Sequence, residues 1–128
     1  MNNLTKLARR QLAMHEALRR LGFSADDIYV RFANGIGTGD AAVYDVFTEL
    51  KVGERVFKAN FRGERKVTKA AYEEVWKRES AWWNDPATDA AKKLYIYQKE
   101  YSPAILLSLA QALQAKGFTI PKLERGDA

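Results

Sequence analysis

"FTELKVGERVFKANFRGERKVTKAAYEE", residues 47–74, decides the fold, because its hydrophobic period changes from two to about three and a half within a single stretch. In "AVYDVFTELKV", Tyr44, Val46, Thr48, Leu50 and Val52 alternate with Val43, Asp45, Phe47, Glu49 and Lys51. A turn around Gly53 leads into "RVFKANFR", where Phe57, Ala59 and Phe61 alternate with Val56, Lys58, Asn60 and Arg62. Two half-buried strands joined by a glycine turn make a hairpin. From Thr68 onward, Ala71, Tyr72, Val75, Trp76, Trp82 and Trp83 recur at steps of three, four and seven, which is one face of a helix. Thr68 is placed to cap it.

Upstream, "IYVRFA" alternates as a strand, with Ile28, Val30 and Phe32 opposite Tyr29 and Arg31. Together these runs predict a three-stranded antiparallel meander. Before it, Leu4, Leu7, Ala8, Met14, Leu18 and Leu21 share one helical face, with Lys6, Arg9, Arg10 and Arg20 on the other. Gly22 with Phe23 reads as a glycine C-cap whose next residue folds back, and Gly117 with Phe118 reads the same way. Ser24 and Asp27 suggest a short capped turn. "ALRRLGFS" and "ALQAKGFT" therefore look alike through shared capping chemistry rather than duplication.

Downstream, Asp85 before Pro86 and Ser102 before Pro103 mark two further helix starts. "KKLYIYQKEY" alternates as a strand would, but the preceding "DPATDAAKK" and the face Ala90, Leu94, Tyr97 and Tyr101 favour a helix. The expected fold is α+β: an N-terminal helix, the meander, and two or three C-terminal helices covering one sheet face. Residues 1–118 are expected to form one globular domain, with 119–128 a flexible tail.

Composition narrows the function classes. The 128 residues, 47% hydrophobic and 29% charged, are ordinary for a single folded domain. The absence of cysteine removes disulfides and thiolate chemistry and is compatible with the cytoplasm, where the protein is expected. Charges run throughout "MNNLTKLARRQLAMHEALRRLG", so it reads as neither a signal peptide nor a membrane span, and "PAILLSLAQALQA" is too short to cross a bilayer. No membrane partner is expected. A net charge of +5 and a pI near 9.5 make an anionic partner plausible.

No catalytic constellation emerges. "GIGTGD" lies between strands without a following helix or P-loop lysine and reads as a hairpin loop. His15, the sole histidine, falls on the apolar face of the first helix, where a hydrogen-bonded core histidine is expected rather than a metal ligand. Asp26 and Asp27 read as capping residues. Ser80, Ser102 and Ser108 lack the context of a nucleophile. Glu79 interrupts the aromatic stripe and must be paired or exposed, since an isolated buried carboxylate is costly. A non-enzymatic protein without cofactor or metal is the expectation.

What remains is a knot of cations. Arg62, Arg65, Lys66 and Lys69 span a strand end, a loop and the first turn of a helix, where backbone N–H groups also favour anions. The leading reading is a basic module that contacts nucleic acid or a nucleoprotein through these four residues, with Arg9, Arg10 and Arg20 extending the patch. The order helix, three strands, helix over residues 4–82, with Lys66 and Lys69 opening the second helix, resembles the double-stranded-RNA-binding domain. That resemblance implies recognition of A-form shape through phosphate and 2′-OH contacts. The chain departs from the family pattern in two places: "NFRGER" replaces its glycine-rich turn, and the first strand loop lacks its proline–histidine element. The alternative reading is a protein-binding inhibitor or adaptor, of the kind encoded on mobile elements, docking through Tyr95, Tyr97 and Tyr101.

Overall fold

The computed structural model describes residues 3–59, 66–92 and 102–124. Helix α1 (Asn3–Arg20) is followed by strands β1 (Ile28–Ile36), β2 (Val43–Val52) and β3 (Arg55–Ala59). A two-residue strand β4 (Val67–Thr68) then runs into α2 (Lys69–Trp83). The chain is helical again at 89–92 (α3), at α4 (Pro103–Ala115) and at α5 (Pro121–Glu124). The fold is α+β, with an antiparallel sheet.

The strands pair as their alternation requires. Val30 faces Thr48 across β1 and β2, and Leu50 faces Phe57 across β2 and β3. Ile28, Val46, Thr48 and Leu50 are buried on one sheet face, and Tyr29, Arg31 and Lys58 are exposed on the other. The sheet has one strand more than the expected meander: β4 pairs with the start of β2, Val43 opposite Thr68 and Tyr44 opposite Val67. Two residues are too few to carry a period in the sequence. Thr68 serves both elements, ending β4 and accepting a hydrogen bond from the Ala71 N–H at 3.3 Å as the N-cap of α2.

The helices close over the buried face. Leu7 and Ala8 of α1 and Tyr72 and Val75 of α2 pack on Val46 and Val67, while Leu109 and Leu113 of α4 join Ala17, Leu18, Ile28 and Leu50. Between α1 and α2 the Tyr72 hydroxyl donates to Gln11 Oε1 at 3.0 Å, a buried polar bridge within the apolar layer. Burial pushes the Tyr72 hydroxyl well above its ordinary pKa, so it remains a donor at any accessible pH. Caps at Asp85 and Ser102 form as expected, accepting from the N–H groups of Ala87 and Ile105. The ambiguous segment 92–101 lies outside the described residues except for Lys92, which is helical.

The two glycine–phenylalanine endings are the same motif. Phe23 N–H donates to Leu18 O and Gly22 N–H to Arg19 O, just as Phe118 N–H donates to Leu113 O and Gly117 N–H to Gln114 O. These are Schellman closures, and each buries its phenylalanine. The folded body does not stop at residue 118, where the sequence placed its boundary. Ile120 is only 1% exposed and belongs to the core, and Lys122 N–H donates to Leu21 O, so the body continues into α5. An isolated isoleucine beside a proline gave no period from which this could be read.

That clasp makes Gly22 a demanding position. Its φ is +98°, and a Cβ there would sit 2.9 Å from Pro121 Cβ and 3.0 Å from the Lys122 backbone nitrogen. Gly22→Ala should cost about 2 kcal/mol, combining the left-handed backbone penalty with displacement of α5. Gly53→Ala, at φ +62° with open space around it, should cost about 1 kcal/mol. Urea unfolding of both variants checks the difference.

Candidate nucleic-acid interface

Two members of the cationic knot lie at the β4–α2 junction. Lys66 is exposed with φ +86°, immediately before β4, and Lys69 is the first residue of α2. Because β4 is hydrogen-bonded to β2, the backbone on which both lysines stand is anchored to the sheet. A lysine at a helix N-terminus opposes the helix dipole. The Lys69 ammonium offsets this by reaching over aromatic rings, 4.9 Å from the centroid of Tyr44 and 5.7 Å from that of Phe32. Phe32 in turn meets Tyr44 and Tyr72 edge-on at 5.9 and 5.8 Å.

The Tyr44 ring owes its place to a bulge in β1. Ala33 pairs with Asp45 and Ile36 with Val43, so Asn34 and Gly35 together oppose Tyr44. A Cβ on Gly35 would fall 2.8 Å from Tyr44 Cε1, so glycine lets the ring lie against the backbone. Asn34, at φ +54°, donates from Nδ2 to Asp45 Oδ2 at 2.8 Å and fixes the bulge. A cation held over half-buried rings is not legible in the sequence, because strand pairing is what brings Lys69 and its rings together.

The α1 arginines divide into different environments. Arg9 is engaged within the structure: its Nε donates to Glu79 Oε2 at 2.9 Å, and its guanidinium carbon stands 3.7 Å from the centroid of the Trp82 ring. Glu79 is thus paired, as its position in the stripe required. The tryptophans share the α1 side of α2 unequally, with Trp83 buried and Trp76 and Trp82 partly so. Arg10 is exposed on α1. Arg20, about 15 Å further along the helix at the rise per residue of an α-helix, gathers with Arg19 and Lys122 at the α1 end. Arg62, Arg65, Tyr95, Tyr97 and Tyr101 lie outside the described residues.

A second mixed surface lies on the sheet face that the described helices leave uncovered. Tyr29 is 45% exposed there, Lys58 Nζ stands 5.4 Å from the centroid of Phe47, and Arg31 pairs with Glu49 at 3.6 Å. Alternation within each strand gives these residues their faces but does not show that they adjoin.

His15 is half-buried against Trp76, ring centroids 5.3 Å apart, and its Nε2 has no hydrogen-bond partner among the described residues. The expected core histidine is there, with its expected hydrogen bond not formed by Nε2 among the described residues. Desolvation lowers its pKa to about 4, so it is neutral at pH 7. Among the described residues no group of three or more histidine, cysteine or acidic side chains is arranged to hold a metal ion. Among them, too, no helix is long and apolar enough to cross a membrane.

No protein-family model, no curated protein and no solved structure matches this chain. The likeness to the double-stranded-RNA-binding domain is therefore one of element order.

Proposed function

We infer that the protein is a small, non-enzymatic binding protein for nucleic acid, docking through the β4–α2 junction. The observation that carries this reading is Lys69 held over Tyr44 and Phe32 beside the exposed Lys66 on an anchored backbone. A phosphate chain is met at Lys69 by a cation whose position is already set, so less side-chain freedom is lost on binding there. The net charge of +5 adds long-range attraction for a polyanion. Arg10 on α1, and Arg31 and Lys58 on the sheet, are exposed and would offer further phosphate contacts.

Fluorescence anisotropy with labelled duplex DNA, duplex RNA and single strands, at low and moderate salt, tests the reading. Affinity should fall steeply as salt rises. The double variant Lys66→Ala/Lys69→Ala should weaken binding about tenfold at low salt and flatten the log K against log salt slope by about two. Unchanged affinity and slope in that variant would remove this interface.

A further inference from the structure

We propose a nucleotide-binding site at the C-terminal end of α1, where a cavity of about 230 Å³ takes the base and an adjoining basic cavity of about 310 Å³ takes the phosphate. The first cavity lies between α1 and α2 and is walled by Trp76 and Trp83. Three of its lining side chains, His15, Glu16 and Ser80, carry a buried polar atom with no hydrogen-bond partner among the described residues: Nε2, Oε2 and Oγ respectively. Buried polar atoms are nearly always paired in folded proteins, so three such atoms on the residues lining one cavity suit a ligand that can hydrogen-bond.

The character of the walls selects that occupant. Aromatic rings beside hydrogen-bonding groups suit a flat, neutral heterocycle, and the neutral imidazole of His15 adds no charge. Glu16 Oε1 is engaged by Lys92 at 3.5 Å, which leaves Oε2 as an acceptor that calls for an N–H donor. Bases with an exocyclic amino group meet that demand, and uracil, with a single ring N–H flanked by carbonyls, meets it less well. The second cavity shares Glu16 and Arg19 with the first and adds Arg20 and Lys122, so positive charge stands where the phosphate of such a ligand would lie. This site is distinct from the β4–α2 junction and does not depend on it.

Titrating the intact protein with AMP, GMP, CMP and UMP, while following tryptophan fluorescence and backbone amide NMR signals, tests the proposal. The amino-bearing nucleotides should quench fluorescence at submillimolar concentration, shift the signals of residues 80, 84 and 122, and bind at least fivefold tighter than UMP. Adenosine, lacking the phosphate, should bind about tenfold more weakly than AMP. Ser80→Val, which fills the cavity, and Lys122→Glu, at the exposed rim, should each weaken AMP at least tenfold while the far-UV spectrum is unchanged. Lys66→Ala/Lys69→Ala should leave AMP binding intact, which separates failure here from failure of the nucleic-acid interface. A short single strand competing with AMP for the same NMR signals would make a strand end, rather than a free nucleotide, the source of the base. Absence of any shift at millimolar nucleotide, or affinity indifferent to Ser80→Val and Lys122→Glu, overturns the site.

Discussion

Replacing Arg9 with alanine should destabilise the protein by about 3 kcal/mol, more than the loss of an exposed ion pair could account for. Glu79 is 5% exposed and receives the Arg9 Nε–H at 2.9 Å. Its other near cation, Arg78, is 3.9 Å from Oε1 and comes from the exposed side of α2. Without Arg9 the carboxylate is left in a low-dielectric setting with one weak partner among the described residues, and the Trp82 face loses its stacked guanidinium. The pair itself is a different quantity. The double variant Arg9→Met/Glu79→Leu, which removes both charges and keeps most of the volume, should recover at least half of the loss. Urea denaturation of the two single variants and the double gives the coupling energy directly. A loss below about 1 kcal/mol in Arg9→Ala would show that water reaches Glu79 and that the pair is a surface feature.

Acidification should weaken the fold through His15. The histidine is neutral in the folded protein with a pKa of about 4, against 6.5 for an exposed imidazole. Above pH 6.5 neither state takes up a proton and the stability from this group is complete. Between 6.5 and 4 the unfolded chain binds the proton more readily, so stability falls as pH falls, by up to about 1.4 kcal/mol per unit and about 3 kcal/mol in total. Carboxylates contribute their own slope in the same range. The variant His15→Phe keeps a flat ring against Trp76 but cannot titrate, so the difference between the two stability curves isolates the histidine. Parallel curves from pH 7 to 4.5 would mean that the imidazole is hydrated in the folded state.

The sequence displayed its local physics well and its long-range meetings poorly. The caps at Thr68, Asp85 and Ser102, the glycine–phenylalanine closures and the strand faces were all visible, because each depends on residues within about five positions of one another. Glu79 was visible as a problem, since a carboxylate in an aromatic stripe needs a partner. Its solution, Arg9, lies 70 residues away and no local pattern points to it. The same applies to Lys69 over Tyr44 and to the cavity that brings His15 and Glu16 to Ser80. Strand β4 and Ile120 escaped for a different reason, being too short or too isolated to generate a period.

The bulge at Asn34 and Gly35 bears on how the molecule avoids its own copies. Among the described strands β1 pairs only with β2, so within the described sheet it is an edge strand. A straight nine-residue edge would template further strands and lead toward aggregation. By inserting an extra residue opposite Tyr44, the bulge breaks that edge after Ala33, and Arg31 adds a charge to the flatter part. The bulge that seats the Tyr44 ring should therefore also limit growth of the sheet: deleting Asn34 should regularise β1 and raise the protein's tendency to form fibrils on prolonged incubation.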